Sequence, residues 1–171
     1  ALKTGSQTTS EVASGIMIQG IEGYNASGAG AISLLALEIK ARAGSPDIDL
    51  SQVVVEISDS DTKYVLGYDS STFTDKEEVN GQLFTDTFFP GVGSETTKFG
   101  VIVLQDADGS VTSDNPIINF GDHVVVAIDD AFSGIEPRTD VFGMVISEEG
   151  APGIIGFRTP ESFTDAVMEL Q

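Results

Sequence analysis

The chain has no cysteine, no tryptophan, one histidine and only 8 Lys and Arg in 171 residues. Each scarcity closes a class of function. Without cysteine there is no disulfide framework, no thiolate metal site and no cysteine nucleophile. A lone His123, beside Asp122 and just before Val124-Val125-Val126, removes zincin and multi-histidine sites and reads as an imidazole at a strand edge or on the surface. Eight cations scattered from Lys3 to Arg158 form no footprint for phosphate, so neither nucleic acid nor an anionic membrane surface is an expected partner. The longest apolar run, Ile32 to Leu37, is broken by Ser33 and closed by Glu38, far short of the ~20 residues a membrane helix needs. No Gly-x-Ser-x-Gly elbow occurs, and Gly28-Ala29-Gly30 lacks the third glycine and lysine of a phosphate loop, so it reads as a turn. Nothing selects a catalytic pair among the carboxylates, and the chain reads as no enzyme. Its first residue is Ala rather than Met, which points to material removed upstream.

What the chain has in quantity is acid: 27 Asp and Glu give a net charge of −19. With 40% hydrophobic residues it is nevertheless too apolar for a charge-expanded disordered protein, and its length suits one core. Its 19 glycines and 6 prolines recur in clusters such as Gly44-Ser45-Pro46-Asp47 and Asp106-Ala107-Asp108-Gly109, and short β-branched or aromatic runs lie between them. Such punctuation predicts strands over 16–24, 53–57, 64–68, 99–104, 124–128, 141–146, 154–157 and 166–170, assembled as a sandwich or barrel.

The segment from Ala31 to Ala43 offers two readings. Its Ala, Leu, Glu, Lys and Arg followed by Gly44 suit a helix with a C-terminal glycine. Its alternation, with Leu35, Leu37, Ile39 and Ala41 on one face and Glu38 and Lys40 on the other, suits a strand, and a strand is the reading adopted. The polar stretch Ala1 to Ser14 reads as either a flexible tail or the end of a longer helix.

One loop stands out chemically. Leaving a strand at Leu104, it presents Asp106, Asp108 and Ser110 at the first, third and fifth positions of a calcium-type loop, with Asp114 at the ninth. Ile117 occupies the twelfth, where an EF-hand needs a bidentate Glu, so this is no EF-hand. Alternating oxygen ligands suit a hard cation, while Asp and Gly are also favoured in plain hairpin turns. The shorter Asp59-Ser60-Asp61 reads as a turn. Asn25-Ala26-Ser27 is the one Asn-x-Ser/Thr sequon, in a Gly-rich loop where an attached glycan is expected to be exposed.

Four stretches together resemble the archaellins, the archaeal flagellins: Ala43-Gly44-Ser45-Pro46-Asp47-Ile48-Asp49-Leu50, the run from Phe99 to Ser110, Ile135-Glu136-Pro137-Arg138-Thr139, and Glu149 to Ile155 with the tail Val167-Met168-Glu169-Leu170-Gln171. The resemblance implies an all-β, immunoglobulin-like β-sandwich over residues 16–171, with residues 1–15 as a short N-terminal remnant of the filament-core helix, and the family's apolar helix lying upstream. It further implies a structural subunit of an extracellular archaeal swimming filament that polymerises with itself and related archaellins. No nucleic acid and, for this outer domain, no membrane are implied as partners. Export, N-glycosylation at Asn25, and a structural divalent ion such as Ca²⁺ at Asp106, Asp108, Ser110 and Asp114 are implied by the same likeness. The competing reading is an exported, calcium-stabilised binding or adhesion module. With no tryptophan and only Tyr24, Tyr64 and Tyr68, it lacks the aromatic platforms that sugar recognition uses; Phe84, Phe88 and Phe89 are read as core or subunit contacts. A carboxylate-dependent glycosidase is the third and weakest class.

Overall fold

A computed structural model describes residues 14–26, 29–79, 82–84, 97–129 and 134–171. The expected helix remnant before residue 14, like Phe88 and Phe89, lies outside the described residues. The predicted strands form, and with two short additions they give β1 (Ile16–Tyr24), β2 (Leu34–Ala41), β3 (Ile48–Asp49), β4 (Val54–Ser58), β5 (Lys63–Asp75), β6 (Lys98–Gln105), β7 (Ile117–Ile118), β8 (His123–Asp129), β9 (Asp140–Ile146), β10 (Gly153–Arg158) and β11 (Val167–Glu169). The segment with two readings is strand β2: Leu35, Leu37, Ile39 and Ala41 enter the main core, whereas Glu38 and Lys40 stay half-exposed. Tertiary burial of one face overrides the helix-forming composition.

Nine strands are joined in the order β10-β9-β4-β5-β6-β8-β2-β1-β11, and β3 pairs with β7 separately. The 13-residue β5 makes the assembly two-layered. Its first residues pair antiparallel with β4, from Ser58↔Lys63 to Val55↔Leu66, and its later residues pair parallel with β6, from Gly67↔Lys98 to Asp75↔Val103. The register slips between Tyr68 and Phe73. There Asp69 accepts bonds from the Ser71 amide at 2.9 Å, the Ser71 hydroxyl at 2.7 Å and the Thr72 hydroxyl at 2.9 Å. These bonds, the Ser71 hydroxyl foremost, hold the Asp69 carboxyl below its ordinary range. Polar residues that read as a strand end in sequence are thus a bulge through which the strand crosses from one layer to the other, as sheet-switching strands do. The result is all-β and immunoglobulin-like.

Between the layers lies one core. Val55, Ile57, Val141, Val145 and Ile155 from one side meet Leu37, Ile39, Val101, Val124 and Val126 from the other. Phe99 is fully buried and its ring lies 6.1 Å from that of Tyr68. A second cluster covers the outer side of β2, β6 and β8: Leu34, Ala36, Ile102, Val125 and Ala127 pack with Val79 and Phe84, and Phe84 stacks on Tyr24 at 5.5 Å. Burial on both faces explains why β8 reads as the unbroken run Val124–Ile128.

The curled sheet is stitched where its ends meet. The Ile16 amide donates to the Ala151 carbonyl at 3.1 Å. Next to β11, the Leu170 amide donates to the Ile21 carbonyl at 2.7 Å, and the Ile21 amide donates to the Gln171 carbonyl at 3.1 Å. The Gln171 side chain then reaches β10, accepting from the Gly156 amide at 2.7 Å and donating to the Ile154 carbonyl at 2.8 Å. One primary amide thereby mimics a strand along the otherwise open edge of β10.

Two substitutions separate core from seam. Leu37→Ala empties a fully buried site and should cost about 3 kcal/mol, lowering the melting temperature by about 10 °C. Gln171→Ala removes two exposed bonds and should cost about 1 kcal/mol. Chemical denaturation of both variants measures the contrast.

Candidate metal centre

The loop after β6 folds back because Asp106 draws it in. One of its oxygens accepts from the Ser110 amide at 3.1 Å and the other from the Val111 amide at 3.0 Å. Closing so tight a loop places Gly109 at φ 69°, a left-handed backbone that glycine adopts without strain. Asp108 accepts from the Ser110 amide at 3.2 Å and, through its other oxygen, from the Asn119 side-chain amide at 2.6 Å. The Ser110 hydroxyl donates to the Ile117 carbonyl at 3.0 Å and has an Asp122 oxygen 3.4 Å away.

A second turn, Asn119 to Asp122, closes the site from the β8 side. The Asp122 amide donates to the Asn119 carbonyl at 3.1 Å, with Gly121 at φ 99° and Phe120 at the apex. The Asp122 carboxylate returns a contact by accepting from the Asn119 amide at 2.9 Å. These two turns bring Asp106, Asp108 and Asp122 together, with one oxygen from each lying within 4.8 Å of the others.

Of the residues read from sequence, Asp106, Asp108 and Ser110 therefore converge. Asp114 is elsewhere: it is exposed in the turn 112–115, held by reciprocal Thr112 and Asn115 backbone bonds of 3.2 Å, and is not part of the group. Its charge acts instead on Tyr68, whose hydroxyl donates to the Ser113 carbonyl at 2.8 Å. Burial, followed by the charges of Asp69, Asp114 and Asp49, pushes the Tyr68 phenol up to about 12. Sequence reasoning missed Asp122, only 2% exposed. Spacing along one loop cannot find a ligand delivered by another; the available signal was a carboxylate directly preceding a buried strand. His123 opens β8 half-exposed, with its Nδ1 3.5 Å from a Glu38 oxygen, as read for a strand-edge imidazole.

The three carboxyls are not equivalent. Hydrogen bonds, first from the Asn119 amide and then from Ser110, hold the exposed Asp108 down at about 2. Burial pushes Asp122 above the ordinary carboxylate range, and the charges of Asp106 and Asp108 push it further, against the opposing Asn119 amide bond. Converging carboxylates, a hydroxyl and a carbonyl make an all-oxygen donor set that fits a hard cation such as Ca²⁺. The Ser110 hydroxyl is engaged with the Ile117 carbonyl, and a cation held by these groups would act as a brace between the two turns.

Asn25 is placed differently from the exposed loop position expected of it. It is 8% exposed, its backbone amide donates to the Ala166 carbonyl at 2.8 Å, and its side-chain amide, with oxygen and nitrogen exchanged to satisfy both, donates to the Ala31 and Ala26 carbonyls at 3.0 and 3.1 Å. The Asp59 turn is as read, with its carboxylate accepting from the amides of Asp61 and Thr62, both at 2.8 Å.

Across residues 1–157 the chain matches the family model described as archaeal-type flagellin. The chain belongs to the archaeal-type flagellins. Flagellin B3 of Methanocaldococcus jannaschii is 41% identical over 174 residues, an alignment that takes in 100% of this chain and 79% of that protein. The crystal structure of archaeal flagellin FlaB1 from the same organism superposes with a TM-score of 0.81 at 34% identity, covering 93% of this chain and 98% of that one. The archaeal flagellum of Methanospirillum hungatei strain JF1, at 13% identity and a TM-score of 0.57, shares the fold over 98% of this chain and 78% of its own. As an archaeal flagellin the chain is a structural subunit of an extracellular motility filament, assembled from archaellin subunits, and not an enzyme. No helix among the described residues is long and apolar enough to cross a membrane.

The raised Asp122 carboxyl fixes a sign. A carboxyl whose folded pKa exceeds its unfolded value destabilises the fold above both values, and the penalty vanishes as pH falls through the folded pKa. In chelator, Asp122→Asn should therefore melt a few degrees higher than the parent at pH 7, with the difference shrinking toward pH 4. Asp108 works oppositely, lending stability above the ordinary carboxylate pKa that is lost as pH falls toward about 2. Thermal melts across this pH range test both.

Proposed function

We propose that this flagellin's outer domain, residues 16–171, carries a structural cation held by Asp106, Asp108, Ser110 and Asp122. Ca²⁺ is the favoured ion, and residues 1–15 lead from the filament-core helix. The observation that carries the reading is the convergence of three carboxylates from two separate turns within 4.8 Å. Three like charges so close repel one another, and a divalent ion converts that repulsion into attraction while tying the β6–β7 loop to the start of β8. Asp114 has no part in this ligand set.

The brace matters more in a polymer than in a monomer. Subunits of net charge −19 repel their copies, and exposed charges are screened over only about 8 Å at physiological ionic strength. Cancelling two of the three carboxylate charges lowers that repulsion at one place and fixes the surface there. A glycan at Asn25 would require its side chain to leave the Ala31 and Ala26 carbonyls, so we place any attachment before the loop closes. An intact mass of the native subunit equal to that of the bare polypeptide would remove Asn25 as an acceptor.

Adding Ca²⁺ at about a hundredfold above its dissociation constant should stabilise the domain by about 2.7 kcal/mol, raising the melting temperature by several degrees. Chelator should reverse the gain, and Asp108→Ala or Asp122→Asn should abolish it. Melting curves unchanged by either cation or chelator would sink the reading.

A further inference from the structure

Alternation along β4, β5, β9 and β10 sends Val55, Ile57, Val141, Val145 and Ile155 into the core and the residues between them outward. The outward side of such a layer is ordinarily polar. Here it is not. Pairing across the strands lines up Ile154, Met144, Glu56 and Val65 in one row, with Gly156, Phe142, Ser58 and Lys63 in the next. Phe142 is 53% exposed, Ile154 57% and Val65 51%. Five large hydrophobic side chains are exposed among the described residues, and three of them share this one face.

The charge of the face is equally distinct. Lys63 lies 3.3 Å from Glu56, and Arg158 lies 2.9 Å from Asp140. Two of the chain's 8 cations are thus spent cancelling two acids in a molecule of net charge −19. The neutral, apolar surface continues to β10, where Gln171 occupies the Gly156 amide and the Ile154 carbonyl. Strand addition at that edge is closed, and the open approach is onto the face.

We propose that the outer face of β4, β5, β9 and β10 is a contact through which one copy of this chain packs against the next in the filament. The proposal rests on the filament reading above and adds to it the surface used. A second copy is the fitting occupant because the family assembles from its own subunits, and because strongly acidic copies can approach closely only where local charge sums to zero. Large apolar side chains gathered and exposed on one face mark an interaction site. The neighbouring copy supplies a different patch, since a helical polymer is built from contacts that do not close on themselves.

The absence of cysteine allows a direct test. Single substitutions Val65→Cys and Ile154→Cys, made in the full gene expressed in a filament-forming archaeal host, give one reactive thiol each within residues 1–171. Sheared filaments and depolymerised subunits are treated with the same maleimide, and labelling rates are compared with those of Ser162→Cys, an exposed position outside these four strands. Incorporation of the unsubstituted chain into sheared filaments is measured first and tests the filament reading alone. The expected result is at least a tenfold slower labelling of Cys at 65 and 154 in filaments than in subunits, with position 162 changing less than threefold. Equal rates in both states at 65 and 154, or an equal slowing at 162, would overturn the proposal.

Discussion

Everything in this fold depends on β5 belonging to both layers at once. A sandwich of two independent sheets is held by side-chain packing alone, and each sheet can shift over the other until side chains clash. Here a single chain segment is hydrogen-bonded to β4 at one end and to β6 at the other, so the relative placement of the layers is set covalently. The core residues then interdigitate in one register. The second apolar cluster, between Phe84 and the outer side of β2, β6 and β8, buries most of the central strands on both faces. The two places of functional interest lie at the periphery: the cation loop at the β6 and β8 ends and the outer face of the β4 layer.

Charge is the opposing constraint. These 171 residues carry a net charge of −19, which opposes contact between copies and makes assembly conditional. The structure handles its acids in three ways. Some, such as Asp59, Asp69 and Asp75, are turned inward on neighbouring amides and fix turns. Asp106, Asp108 and Asp122 are gathered where one ion can offset them. Glu56 and Asp140 are paired with Lys63 and Arg158 on the apolar face. The other acids among the described residues lie exposed or half-exposed.

The strands were legible in sequence wherever one face or both are buried, because alternation at Leu35, Leu37 and Ile39 and the unbroken run at Val124–Ile128 are direct images of burial. What escaped was non-local. The length of β5 was hidden by the polar residues 69–72, since a bulge and a turn use the same residue types. Three of the four residues proposed to hold a cation were legible because Asp106, Asp108 and Ser110 lie on one loop; Asp122 was not, because it arrives from a different turn. Asn25 shows the reverse error. A sequon and neighbouring glycines imply an exposed loop, yet the backbone of Asn25 is tied to Ala166 across the molecule, a tie that local composition does not encode.

The amide of Gln171 spans from the β1 side to β10, closing the last gap in the curled sheet. In a rotated filament that closure has a mechanical meaning. A sheet with an open seam twists like a slit tube, which yields easily to torsion, whereas a closed one carries shear around its whole circumference. With β5 continuous through one side and Gln171 bridging the other, shear between the layers is resisted by backbone and amide bonds as well as by packing.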